Sequence, residues 1–122
     1  MFSSADGKVN TEFEPTPAMA TYTLAWMVSE LQPVSNRDGS FRSFAQPGRR
    51  HELAASQDIG PQVLQVMARF TGVPYKLDKM DQVAVPDHNF GAMENWGLVT
   101  YRWSSIEGVK LIPCALKKGN VY

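Results

Sequence analysis

Glu94 stands in a stretch, Val83–Arg102 (VAVPDHNFGAMENWGLVTYR), whose residue types offer more than a connection between two strands. Two short apolar runs, Gln82–Val85 and Leu98–Tyr101, flank a middle that holds Pro86, Asp87, Asn89, Gly91, Glu94, Asn95 and Gly97. Pro, Asp, Asn and Gly clustered between apolar runs read as a loop, and loops held between strands are where recognition chemistry is commonly placed. Glycine frees the backbone for close approach to a ligand. A carboxylate held there in a partly desolvated cleft suits a cation, for example a protonated amine. Backbone groups around Gly91–Ala92 suit an extended peptide main chain, taken up as an added strand. The competing reading of the same residues is an ordinary strand connection carrying a solvated Glu.

Other chemistries find less support. A zinc site built on HExxH puts two imidazoles on one helix face and leaves the Glu as base. His51–Glu52–Leu53–Ala54–Ala55 begins that motif and fails it, because Ala55 has no ligand atom. The chain has 2 histidines, His51 and His88. His51 reads as a surface residue at a helix start. His88 lies beside Asp87, and such a pair can orient a proton, but sequence neighbours rarely point at one another, so loop structure is the expected role. No Ser–His–Asp or Cys–His arrangement is legible, and Gly91 and Gly97 match no phosphate-cradling loop. Trp26, Trp96 and Trp103 are expected to pack in a core or on a sheet.

Several elements must position the loop. Met1–Pro17 is polar and reads as a loose lead-in. Met19–Leu31 alternates Tyr22, Leu24, Trp26 and Val28 against Thr21, Thr23, Ala25, Met27 and Ser29, a strand pattern covered on two sides. Gln32–Ser40 is turn-like around Asp38–Gly39, and Phe41–Ala45 would return as the second arm of an antiparallel hairpin. Gln46–His51 is again turn-like. Glu52–Thr71 reads as helix: Ile59, Val63, Val66 and Phe70 recur at helical spacing beside Leu64 and Met67. Ser56 or Asp58 would cap its main segment, Pro61 belongs in a first turn, and Arg69, Gly72 and Pro74 mark its end. Met80–Val85 and Trp96–Tyr101 read as strands. Ser104–Gly108 is turn-like, Val109–Leu116 a brief apolar run, and Lys117–Tyr122 a polar tail.

The composition bounds the function. The chain has 122 residues, at most one domain's worth, and 43% hydrophobic against 20% charged residues is a globular balance. Twelve Lys and Arg balance twelve Asp and Glu, which gives no electrostatic footprint for nucleic acid. One cysteine, Cys114, excludes an internal disulfide framework and a thiol-rich metal site. No apolar run approaches the roughly 18 residues of a membrane-spanning helix, and Met1–Asn10 lacks the pattern of a signal peptide.

Gly91–Ala92–Met93–Glu94–Asn95, within Val83–Tyr101, resembles the exopeptidase signature of the zinc-dependent M1 aminopeptidases of the aminopeptidase N type. The resemblance reaches back through Ile59–Tyr75, similar to the first helix of that family's thermolysin-like catalytic domain, and through Pro15–Ser29, similar to the last strands of its N-terminal β-domain. The implied fold is α+β: antiparallel strands from an N-terminal β-domain over residues 1–49, then a helix and strands opening the catalytic domain over 50–102, then a divergent tail over 103–122. Family members release N-terminal amino acids from peptides by zinc-activated water. By resemblance, Glu94 binds the substrate α-amine, Gly91 and Ala92 lie along the substrate backbone, Met93 helps form the pocket for the first side chain, and Asn95 and Trp96 support the loop.

The family's zinc motif, its base and its intermediate-stabilising tyrosine have no counterpart in this sequence. The chain thus reads as a fragment with the recognition half of a site, no catalytic or metal residue of its own, and no peptidase activity in isolation. Zinc belongs to the parent enzyme. The expected partners are a peptide with a free N-terminus and the remainder of the catalytic domain, with the parent an extracellular or plasma-membrane-anchored enzyme, although cytosolic members exist. Two other readings stand beside this one: a non-catalytic peptide-binding or interaction module, and an unrelated small α+β domain.

Overall fold

A computed structural model describes residues 2–5 and 8–107. Its centre is a mixed sheet of five strands: β3 (Gln32–Ser35), β4 (Phe41–Ala45), β5 (Met80–Val85), β7 (Leu98–Arg102) and β6 (Ala92–Met93), in that spatial order. β3 and β4 are antiparallel, β4, β5 and β7 run parallel, and β6 is antiparallel to β7. Parallel neighbours need a crossover. Between β4 and β5 the crossover is helix α1 (Ala54–Thr71), entered through a 3-10 turn at Arg50–Leu53. β1 (Phe2–Ala5) and β2 (Lys8–Thr11) form a separate antiparallel pair, and α2 (Trp103–Glu107) follows β7 directly.

The register sorts the residues onto two faces. Phe41, Ser43 and Ala45 of β4 share the α1 face with Gln82 and Ala84 of β5 and Tyr101 of β7. Ala45, Leu53, Ala84 and Trp103 form the buried cluster there, with Val34 and Tyr101 packed against it. Gly60 explains itself at this face: a Cβ would overlap the Phe41 ring, which lies against the helix at that point. Beside this apolar contact runs a polar seam. Ser56 reaches Ser43 Oγ at 3.2 Å and donates to Gln82 Oε1 at 2.5 Å, and Gln57 Nε2 donates to Ser43 Oγ at 2.7 Å.

The hairpin turn forms as expected. Gly39 takes φ +76°, and Asp38 Oδ1 accepts from the Ser40 amide at 3.0 Å and its hydroxyl at 2.7 Å. These bonds hold the Asp38 carboxyl below the usual carboxylate range. Arg69 lies in the last turn of α1, and Gly72 ends it in the left-handed conformation, φ +69°.

Other expectations need correction. The first arm of the hairpin is Gln32–Ser35, inside the stretch read as a turn, and Met19–Leu31 is a short 3-10 turn at Thr21–Thr23 followed by irregular chain. Its alternating pattern has no neighbouring strand to pair with among the described residues, so Tyr22, Leu24, Trp26 and Val28 are exposed. The lead-in carries β1 and β2. Residues 103–107 are the helix α2 where a turn was expected. Ser56 does not cap α1; it is buried in the polar seam, and α1 needs no side-chain cap because it continues from the 3-10 turn. Pro61 sits well inside α1, where the loss of its N–H costs about 3 kcal/mol in an isolated helix. The helix period is right, yet Val63, Val66, Met67 and Phe70 are exposed. Of the tryptophans only Trp103 is buried; Trp26 and Trp96 are exposed.

The architecture is α+β: the strand pairs within residues 1–49 are antiparallel, as expected, and β4, β5 and β7 pair in parallel in one mixed sheet. Its β4–β5 pairing runs across the expected division between residues 49 and 50. The apolar run Val109–Leu116, Cys114 and the polar tail lie outside the described residues.

Candidate functional site

β5 and β7 run parallel, so the chain must travel back between them. The return path is residues 86–97. It passes to the outer edge of β7 and descends there as β6, with Ala92 opposite Tyr101 and Met93 opposite Thr100. The stretch read as a loop is thus part edge strand, and the geometry of a parallel connection is what lays Gly91–Met93 along the rim of the sheet.

The outbound limb is fixed by β7. Arg102 donates through Nε to the His88 carbonyl at 2.9 Å, through a terminal nitrogen to the Asn89 carbonyl at 2.7 Å, and through its backbone N–H to the Gly91 carbonyl at 2.9 Å. His88 Nε2 lies 2.9 Å from Thr100 Oγ1, and its Nδ1 lies 2.9 Å from the Phe90 carbonyl. One ring nitrogen is engaged within the loop and the other by β7, which agrees with the structural role expected for His88. Asp87, its neighbour, is exposed.

The returning limb is fixed elsewhere. The Trp96 amide donates to the Thr23 carbonyl at 3.1 Å. The Gly97 carbonyl accepts from the Asp81 amide at 3.1 Å and from Lys79 Nζ at 2.8 Å. Asp81, 4% exposed, is gripped by Arg42 through both carboxylate oxygens, at 2.6 and 2.7 Å, and Lys79 Nζ donates to the same Oδ2 at 2.7 Å. The pairing with Asp81 raises the affinity of the Arg42 guanidinium for its proton. Gly97 takes φ +73°, and a Cβ there would meet Leu77 Cδ1 at 3.0 Å, so the position calls for glycine. Arg42 and Asp81 are cross-strand neighbours on the face opposite α1.

Between these anchors, Asn95 is buried, Met93 is half-buried, and Gly91, Ala92, Glu94 and Trp96 are exposed. The structure brings the six candidate residues together on one edge. Glu94 lies on the open surface there; no partly desolvated cleft encloses it among the described residues. At about 4 Å an ammonium–carboxylate pair is worth ~1 kcal/mol in bulk water and ~4 kcal/mol at an effective dielectric near 20, so exposure decides how much Glu94 alone can contribute.

The sequence reading missed Lys79, Asp81, Arg102, Thr100 and Thr23. One signal was available: Asp81 interrupts the strand Met80–Val85 at an alternating position whose other member, Val83, is fully buried. A charge at such a position requires a partner.

The zinc site implied by the resemblance was tested on the donors present. His51 is exposed and at the helix entry, Ala55 stands one turn along, and His88 is committed to the loop. Among the described residues no three His, Cys, Asp or Glu side chains stand close enough together to hold a metal ion. The donor set does not fit zinc. Among the same residues no helix is long and apolar enough to cross a membrane.

Residues 55–115 match the Peptidase family M1 domain, a span that extends past Arg102 into the expected tail. Aminopeptidase N of Canis lupus familiaris is 47% identical over 102 residues, 79% of this chain and 10% of that protein. Aminopeptidase N of Plutella xylostella is 39% identical over 105 residues, 82% of this chain and 11% of that protein. Aminopeptidase 2, mitochondrial, of Saccharomyces cerevisiae is 42% identical over 99 residues, 80% of this chain and 10% of that protein. The chain therefore spans about a tenth of the length of these relatives.

Proposed function

This chain belongs to peptidase family M1, and from that membership we propose that its Gly91–Gly97 loop is the part of an aminopeptidase site that recognises a substrate's free N-terminus. Glu94 pairs with the α-ammonium group. Gly91 and Ala92 run beside the substrate main chain, Met93 borders the first side chain, and Asn95 and Trp96 hold the loop in shape. The observation that carries the reading is the path of residues 86–97: an edge strand, tied down on both limbs, that ends at an accessible carboxylate. An edge strand offers backbone groups to an extended peptide, and a fixed carboxylate beyond its end selects a peptide that begins there.

In the same reading the chain joins the end of an N-terminal β-domain, residues 1–49, to the start of a thermolysin-like catalytic domain, residues 50–102. The whole enzyme's substrate is a peptide with a free N-terminus. Hydrolysis is assigned to the rest of the enzyme, because among the described residues no three His, Cys, Asp or Glu side chains stand close enough together to hold the metal. What this chain contributes is position and charge at the substrate's first residue.

Titration of the chain with L-alaninamide, followed by amide NMR, tests the assignment. Shifts at Gly91–Gly97 are expected with a Kd of about 1 mM or weaker, corresponding to roughly 4 kcal/mol. Glu94→Gln should abolish them. Unchanged shifts in Glu94→Gln contradict the role given to Glu94.

A further inference from the structure

We propose that Lys79 is a positioning residue for Glu94: its ammonium group clamps the Gly97 carbonyl and so fixes the returning limb of the recognition loop. The inference rests on the amine-recognition reading for its purpose, though its geometry stands apart from it.

The two limbs of the loop are secured differently. The outbound limb is bound by Arg102 and Thr100, residues of the strand it lies against. The returning limb turns at Gly97, φ +73°, to enter β7. The Gly97 carbonyl is met by the Asp81 amide and by Lys79 Nζ at 2.8 Å.

A surface lysine is ordinarily free to solvate its charge, and Lys79 is 45% exposed. What directs it here is Asp81. The Asp81 carboxylate is buried and held by Arg42 through both oxygens, and its Oδ2, which accepts from Arg42 at 2.7 Å, also accepts from Lys79 Nζ at 2.7 Å. One ammonium group therefore spans a buried carboxylate and the carbonyl of the turn, which is a clamp and not only an ion pair. The isolated pair is half in water and contributes little stability; its effect is on geometry.

Only Asn95 and Trp96 separate Gly97 from Glu94. Three residues span at most about 10 Å, so the Gly97 carbonyl is a near anchor for the Glu94 backbone, beside the Trp96 bond to Thr23. The order of dependence is Arg42 to Asp81, Asp81 to Lys79, Lys79 to Gly97, and Gly97 to Glu94.

Amide hydrogen exchange on the full chain tests this with Lys79→Met, which keeps the aliphatic stem and deletes the donors. The Trp96, Leu98 and Arg102 amides, which close the loop, should exchange about tenfold faster while α1 amides hold their rates. L-alaninamide shifts should weaken in parallel, and Lys79→Arg, long enough to donate to both acceptors, should restore both readouts. Uniform acceleration across loop and helix would show that Lys79 merely adds global stability, and an unmoved loop would show no clamp; either overturns the proposal. If Lys79→Met does not fold, Lys79→Gln, shorter and uncharged, is read by the same two criteria. The two readings separate cleanly. Loop loosening in Lys79→Met with binding indifferent to Glu94→Gln removes the amine reading and leaves the clamp. Glu94-dependent binding with loop exchange unmoved removes the clamp and leaves the amine reading.

Discussion

The loop of residues 86–97 and the segment of residues 12–31 contain similar material, aromatic and small residues broken by Pro, and they end in opposite conditions. The loop is tied at both limbs, with its carbonyls taken by Arg102 and Lys79 and its Met93 half-buried. The segment of residues 12–31 forms one 3-10 turn, joins the rest through the Trp96–Thr23 bond, and exposes Phe13, Tyr22, Leu24, Trp26 and Val28. The difference lies in where the partners are. The loop's ties to Lys79, Asp81, Thr100 and Arg102 are brought close by the parallel β5–β7 pairing, and the segment of residues 12–31 adds the one at Thr23. A strand pattern such as Met19–Leu31 needs a second strand to satisfy its backbone groups, and none stands beside it among the described residues. Local closure, not hydrophobicity, separates the two.

The comparison is sharpened first by stability. Leu53 is fully buried beneath the sheet, so Leu53→Ala should cost about 2–5 kcal/mol in urea unfolding. Trp26 is 77% exposed, and Trp26→Ser should change stability by no more than about 0.5 kcal/mol, although it removes the larger side chain. A large loss at Trp26 would show that residues 12–31 pack in solution and would break the contrast. The loosening of the loop in Lys79→Met comes next, because it acts on one region and spares the other.

The smallest effect concerns pH. Burial raises the Tyr101 hydroxyl above its ordinary value of 10.0. The unfolded chain ionises first, so the stability from burying the neutral phenol is full below about pH 10 and is lost as pH climbs through the raised folded value. Tyr101→Phe removes that ionisation and should move the midpoint of base unfolding upward, as read by circular dichroism. A midpoint that moves down would show that the hydroxyl's 3.4 Å contact with Gln82 Nε2 matters more than its desolvation.

Much of this was legible in the residues. The turn at Asp38–Gly39, the helix ending at Gly72, the strand at Met80–Val85, the strand read at Trp96–Tyr101 and found at Leu98–Arg102, and the concentration of unusual residues around Glu94 all follow from local preference and period. What was not legible depends on which strand neighbours which. The same Met80–Val85 pattern serves parallel or antiparallel pairing, and only the parallel choice sends residues 91–93 to the sheet edge as β6. Ser56 has the composition of a helix cap, and its position opposite Ser43 and Gln82 makes it a buried bridge instead. Lys79 and Asp81 look like solvated charges until the register sets Arg42 beside Asp81 and the turn at Gly97 above Lys79.

The most direct test of the account compares L-Ala-L-Ala-amide with its N-acetylated form on the wild-type chain, mapping amide shifts residue by residue. Shifts confined to Gly91–Gly97 and its anchors are expected with the free amine and are expected to vanish after acetylation. Shifts that ignore acetylation and gather on the exposed apolar face of α1, at Val63, Val66, Met67 and Phe70, would contradict that expectation.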